Sequence, residues 1–128
     1  FMNHMDKISS LMLARFTQID YDREMALVAM LGEHTRQARM IGVARYISNP
    51  DELSCEFALT VADDWQKKGL GRRLMERLIA VARDRGLQVM EGDVLAQNSK
   101  MLRLCTSLGF HTVYDSGDPE VVIVRRDI

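Results

Sequence analysis

The 128-residue chain, 47% hydrophobic and 27% charged, has the length and balance of one domain with its own core, which excludes a disordered or fibrous chain. A net charge of −1 gives no whole-chain drive toward nucleic acid or an anionic membrane surface. Cys55 and Cys105 are the only cysteines, no apolar run nears the roughly 20 residues of a membrane span, and no signal peptide is visible, so the sequence excludes a disulfide scaffold and points to reduced thiols in the cytoplasm.

In chain order, Ile8, Leu11, Met12, Arg15 and Phe16 have helical spacing, with Asp6 or Ser9 as a cap. Residues 17–23 read as a polar connection. Residues 24–31 are ambiguous: their Ala, Met and Leu favour a helix, but the polar turn at 32–37 and the strand-like 40–47 beyond it favour a hairpin, so 25–31 is assigned as a strand. Residues 49–52 form a turn. Residues 55–62 read as a buried strand, 71–85 as an amphipathic helix ended by Gly86, and 88–95 as a returning strand parallel to the first. A second helix spans 99–108, with Met101, Leu102, Cys105 and Leu108 on one face, and strands at 110–114 and 121–125 flank a turn. The order predicts an α/β (α+β) fold, a mixed central sheet with flanking helices, as one domain over residues 1–128.

Between the strand 55–62 and its helix lies Gln66-Lys67-Lys68-Gly69-Leu70-Gly71-Arg72. A strand, a glycine-bearing turn and a helix N-terminus in that order make an anion cradle. Glycine lets the backbone turn tightly so that several N–H groups converge, and the helix dipole favours a phosphate there. Lys67, Lys68, Arg72 and Arg73 add positive charge. An ordinary strand-to-helix loop has the same local spacing, and spacing alone leaves both readings open. Trp65 beside the loop either packs against a ligand or closes the turn. Asp63, Asp64, His34 and His111 lack the spacing of a metal site or a catalytic triad, so no metal is expected.

Gln66-x-x-Gly69-x-Gly71 resembles the acyl-CoA pyrophosphate loop of the GNAT N-acetyltransferases, in the family's usual place between a central strand and a helix. Residues 98–110, Asn-Ser-Lys-Met-Leu-Arg-Leu-Cys-Thr-Ser-Leu-Gly-Phe, are similar to the family's following helix. Residues 14–29 are similar to the opening segment of the bacterial Pat-type protein lysine acetyltransferases, many of which fuse a GNAT domain to a large acyl-CoA-synthetase-like region. The resemblance implies a GNAT fold that lacks the family's first strand and helix. With its start at Phe1, the chain is then expected to be a fragment of a longer protein. The strand at 25–31 would be an unpaired edge that invites a homodimer.

What the resemblance implies about function is an acetyl-CoA-dependent N-acetyltransferase acting on protein lysine ε-amines, an acyl-CoA synthetase being one such substrate. A small-amine acetyltransferase and a non-catalytic acyl-CoA sensor are the alternatives. An amine of reference pKa ~10.4 is neutral in only roughly one molecule in 2,500 at pH 7, so a base is needed. Glu56 matches the family's base on the strand before the loop, and partial burial at the start of an apolar strand is expected to favour that role. Glu91 and Asp93, two apart on the next strand, are competing carboxylates. The resemblance assigns pantetheine contacts to the backbone of Leu59, Val61 and Ala62 and to Asn98, which is equally a good helix N-cap. It assigns the pyrophosphate to Gln66, Lys67, Lys68, Gly69, Leu70, Gly71 and Arg72. A splay between residues 55–62 and 89–95 is expected to admit the thioester. Cys105 stands where many family members place a general-acid Tyr, and a buried packing role is the alternative.

Overall fold

The computed structural model describes residues 15–16, 23–32, 36–113 and 117–128. Strand β1 (Arg15–Phe16) is followed by β2 (Glu24–Leu31), β3 (Arg39–Ser48) and β4 (Ser54–Val61). A 3-10 turn, Asp63–Trp65, leads into helix α1 (Leu70–Asp84). Strand β5 (Val89–Leu95), helix α2 (Ser99–Ser107), β6 (His111–Val113) and β7 (Val121–Asp127) complete the order. The strands form one seven-stranded sheet in the order β1-β2-β3-β4-β5-β7-β6. Only β4 and β5 run parallel; every other neighbouring pair is antiparallel.

The β2–β3 hairpin forms as the flanking turns predicted, against the helical propensity of its Ala, Met and Leu. Its alternation explains why: Met25, Leu27 and Ala29 are buried while their neighbours are half-buried, a period-two pattern. At the other end of the chain order, the helical reading of residues 8–16 fails where it can be compared. Arg15 and Phe16 are paired opposite Val28 and Leu27, and residues 8–14 lie outside the described set. The edge of β2 is therefore covered at two positions, contrary to the expected open edge. Two residues carry no periodicity, so this pairing was invisible in the sequence.

Helix α1 buries Leu70, Leu74, Met75, Leu78, Ile79 and Ala82, one stripe at helical spacing, against one face of the sheet. Facing it are Met25, Leu27, Ala44, Tyr46 and Cys55. Gly42 lets the helix lie close: a Cβ there would come within 2.9 Å of Leu74 Cδ1 and 3.2 Å of Leu70 Cδ2. Both helices end in the same paired hydrogen-bond motif. In α1, Gly86 N–H bonds Arg83 O and Leu87 N–H bonds Ala82 O; in α2, Gly109 N–H bonds Thr106 O and Phe110 N–H bonds Cys105 O. This motif satisfies orphan carbonyls and turns the next apolar residue back onto the core.

Candidate active site

Pairing between β4 and β5 covers only three positions: Ser54 with Val89, Cys55 with Met90, and Glu56 with Glu91. Beyond Glu56 each strand keeps its outer partner, β4 with β3 as far as Val61 and β5 with β7 as far as Leu95. The sheet therefore splits, as the sequence led us to expect. The polarity of the split follows from hydrogen bonds at the two ends of β4. Leu53 O accepts from Val89 N–H, whereas Ala62 N–H donates to Ile41 O in β3. Peptide groups alternate sides along a strand, so Phe57, Leu59 and Val61 turn theirs toward the gap.

A groove of about 780 Å³ runs from this gap over the start of α1 to α2. Of the expected binding residues, Leu59, Val61, Gln66, Lys67, Gly69, Gly71, Arg72 and Asn98 line it. Three do not, and each has a physical reason. Ala62 has both peptide groups committed, its N–H to Ile41 O and its carbonyl to Trp65 N–H. The Lys68 ammonium lies 5.0 Å from the centroid of the Trp65 ring, a cation–π contact that turns it aside. The Leu70 side chain is fully buried in the core, so only its backbone belongs to the loop.

The loop itself is bent for convergence. Lys67 has φ +63° and Gly69 φ +83°, two left-handed residues that aim successive N–H groups to one side. A lysine in that region is strained, and such strain is characteristic of binding loops. No side chain caps α1 at Gly69 and no acid sits in its first turn, so its orphan N–H groups and positive dipole end face the groove. Gly71 packs tightly against both walls: a Cβ there would meet Leu104 and Leu59 at 3.3 Å. Gln66 anchors the loop, its Nε2 donating to Val61 O at 3.2 Å. Arg72 is held at the rim by Ser107 Oγ and by Glu76 at 3.8 Å.

Asn98 caps α2, its Oδ1 accepting from Met101 N–H at 3.1 Å. The sequence missed the contribution of α2 to the groove wall through Lys100, Met101, Arg103 and Leu104. Lys100, Arg103 and Leu104 recur at three- and four-residue spacing, a signal for a shared face, but the apolar stripe, which meets the groove only at Met101, drew attention away from it. Thr60, Asp63 and Trp65 complete the lining.

Glu56 projects from the face of the sheet opposite α1, between the buried Cys55 and Phe57. It is exposed, which corrects the expectation of partial burial. Beside it in register, Glu91 is ion-paired with Arg125; among the described residues nothing holds the Glu56 carboxylate. Asp93 is exposed on the same face as Glu91. Cys105 is 1% exposed, and burial pushes its thiol up to about 11. It lies in the core, outside the groove lining, which leaves the packing role. Both cysteines are free thiols. A separate pocket of about 560 Å³, lined in part by Arg23, Tyr46, Ser48 and Arg85, shares no residue with the groove. Among the described residues no helix is long and apolar enough to cross a membrane, and no cluster of three or more His, Cys, Asp or Glu side chains could hold a metal.

The family model described as the acetyltransferase (GNAT) family matches residues 4–110. An acetyltransferase of Pseudomonas aeruginosa is 38% identical over 125 residues, covering 98% of this chain and 67% of that protein. The L-amino acid N-acyltransferase of Escherichia coli is 49% identical over 55 residues, 43% of this chain and 32% of its own. Among solved structures, the GNAT domain of S. lividans PAT matches with a TM-score of 0.76 at 27% identity, over 89% of this chain and 66% of that one. A cAMP-binding acyltransferase from Mycobacterium smegmatis matches with a TM-score of 0.72 at 28% identity, over 87% and 33%. The chain thus spans about two thirds of the Pseudomonas protein and of the S. lividans chain, and about a third of the E. coli and Mycobacterium proteins. With a family model covering most of its length and an overall fold in common with these structures, the chain belongs to the GNAT family of acetyltransferases.

Proposed function

We propose that this domain transfers an acetyl group from acetyl-CoA to a lysine ε-amine of a protein. The observation that carries the reading is the end of the β4–β5 ladder at Glu56, with the peptide groups of Phe57, Leu59 and Val61 facing the gap beyond it. The groove fits a CoA thioester: uncapped helix N–H groups, Lys67 and Arg72 suit a pyrophosphate, and a strand edge that turns the peptide groups of Phe57 and Leu59 and the N–H of Val61 to the gap suits the amide-rich pantetheine arm. Bound there, acetyl-CoA supplies an acyl carbon joined to a good leaving thiolate.

The chain's residues then divide the work. Glu56, exposed and unheld, accepts the proton that the lysine ammonium must lose before its nitrogen can attack. The N–H groups of Phe57 and Leu59 face the gap, where they stabilise the carbonyl oxygen as it gains charge. As the C–N bond forms the C–S bond breaks, and the thiolate takes its proton from the solvent, because Cys105 is out of reach in the core. Acetyl-CoA is an intracellular metabolite, so this reading places the domain in the cytoplasm.

The resemblance of residues 14–29 to the Pat-type protein lysine acetyltransferases favours a protein lysine as acceptor, and the GNAT domain of S. lividans PAT shares the fold over 89% of the chain. A second reading, a free amino acid as acceptor, is favoured by the 49% identity with the E. coli L-amino acid N-acyltransferase over 55 residues. The test is CoA release from acetyl-CoA with a lysine-containing peptide, an α-acetylated lysine and a set of free amino acids as acceptors. Turnover with the peptide and not with free amino acids is expected. Glu56→Gln should lower kcat by about 10²- to 10⁴-fold while binding acetyl-CoA as tightly as the wild type. Binding without turnover on any acceptor would favour an acyl-CoA sensor instead.

A further inference from the structure

We propose that Phe57, fixed by Gly92 and Phe110, is the end wall of the acyl slot and restricts the domain to short acyl groups. This rests on the acyl-transfer reading above and adds its acyl-chain preference. The strands part immediately after Glu56 and Glu91, so Phe57 and Gly92 are the first residues on either side of the split. The Phe57 ring does not lie along its own strand. It reaches across the vertex: a Cβ placed on Gly92 would fall 2.4 Å from Phe57 Cε1, 2.6 Å from Cζ and 2.8 Å from Cδ1. No residue but glycine at 92 leaves room for the ring where it stands. Behind it is Phe110, with ring centroids 5.2 Å apart and planes inclined by 55°, an arrangement that favours both rings.

Phe110 is itself delivered by the turn that ends α2, where its N–H bonds Cys105 O at 2.9 Å. The ring of Phe57 is thus clamped from β5 and from α2 and is only 8% exposed. Leu59, the next residue on the same face of β4, lines the groove. A chain that enters at the pyrophosphate loop and runs along Leu59 toward the vertex meets the Phe57 ring at the end of its path. A two-carbon acyl group ends short of that wall; each further methylene must displace a ring that is held on two sides.

The experiment measures kcat/KM with acetyl-, propionyl-, butyryl- and hexanoyl-CoA, and the Kd of free CoA, for the wild type, Phe57→Leu and Gly92→Ala. The wild type should lose at least about tenfold in kcat/KM between acetyl- and butyryl-CoA, the scale on which added methylenes are discriminated. Phe57→Leu should erase most of that loss while its Kd for free CoA and its cooperative unfolding stay those of a folded domain. Gly92→Ala, which drives the ring off β5, should alter the same profile in a way that Phe57→Leu suppresses in the double variant. Phe57→Leu that binds CoA normally and keeps the wild-type length profile overturns the proposal and leaves the acyl-transfer reading standing. A folded wild type that neither binds CoA nor releases it from acetyl-CoA overturns both.

Discussion

Cys105 and Glu56 occupy positions where sequence and environment pull apart. Cys105 stands where an acid would be useful, yet burial raises its thiol to about 11 and turns it into the core. Cys105→Ala should therefore keep kcat close to wild type and lower stability by roughly 1 kcal/mol, the usual cost of a small core truncation; steady-state kinetics beside urea unfolding checks both. Cys55 is also buried, its thiol pushed up to about 12, so neither cysteine should react with a thiol reagent at pH 8 until the domain unfolds. Glu56 was legible as a strand residue between two apolar neighbours, and period-two alternation alone sends it to the face opposite α1. Its exposure was not legible, because that depends on what covers the far face of the sheet. Two other carboxylates affect stability. Asp51 accepts from the N–H groups of Leu53 and Ser54, and Asp64 from both terminal nitrogens of the Arg39 guanidinium, and each is held below the usual carboxylate range by those bonds. A depressed folded-state pKa gives stability that is present above the unfolded value and lost as pH falls through the folded one. Below about pH 4 the wild type should lose stability more steeply than the Asp51→Asn/Asp64→Asn double variant, as urea midpoints from pH 6 to pH 2 would show.

The element that matters most is the loop into α1, because its geometry rather than its side chains presents the N–H groups. Gly69 at φ +83° holds a left-handed conformation that L side chains rarely adopt, and Gly69→Ala should cost about 1–2 kcal/mol and weaken acetyl-CoA binding, seen as a raised KM with little change in kcat. Lys67→Gly removes a strained side chain at φ +63° and should leave stability within about 1 kcal/mol of wild type, since relief of strain is offset by a freer unfolded chain. A large fall in stability would mean that the Lys67 side chain itself holds the loop. The loop, both helices and the strands from β2 to β5 were readable because each announces itself locally through a period, a cap or a glycine. Arg15–Phe16 was not, since its only signature is a partner, Leu27 and Val28, more than ten residues away. That the peptide groups of Ala62 are already bonded was not legible for a related reason. A residue just past a strand is bound by whichever neighbour continues furthest, and here β3 reaches Ala62 through Ile41.

At the scale of the molecule, the sheet is two halves that share few main-chain bonds. β1 to β4 form one half and β5, β7 and β6 the other, joined by three paired positions and by the core beneath them. The family resemblance conveyed this splay, but the Phe57–Gly92 contact that closes its vertex depends on the register between β4 and β5, which no local pattern encodes. A ligand lying in the gap touches Leu59 and Val61 on one side and Asn98 and Leu104, beyond β5, on the other. It should therefore stabilise both halves together and not one alone. At a concentration a hundred times its Kd, a ligand specific to the folded state adds about 2.7 kcal/mol, which for a domain of this size raises Tm by about 10 °C. Acetyl-CoA should produce that shift in a single cooperative transition, and pantetheine without the pyrophosphate should produce much less, because the N-terminus of α1 is then left without its anion. Hydrogen exchange locates the effect: the amides of Phe57, Leu59 and Val61 should gain protection together with those of β5. Protection confined to the α1 loop would mean that the ligand binds at the helix end without entering the split, and the thioester would then lie out of reach of Glu56.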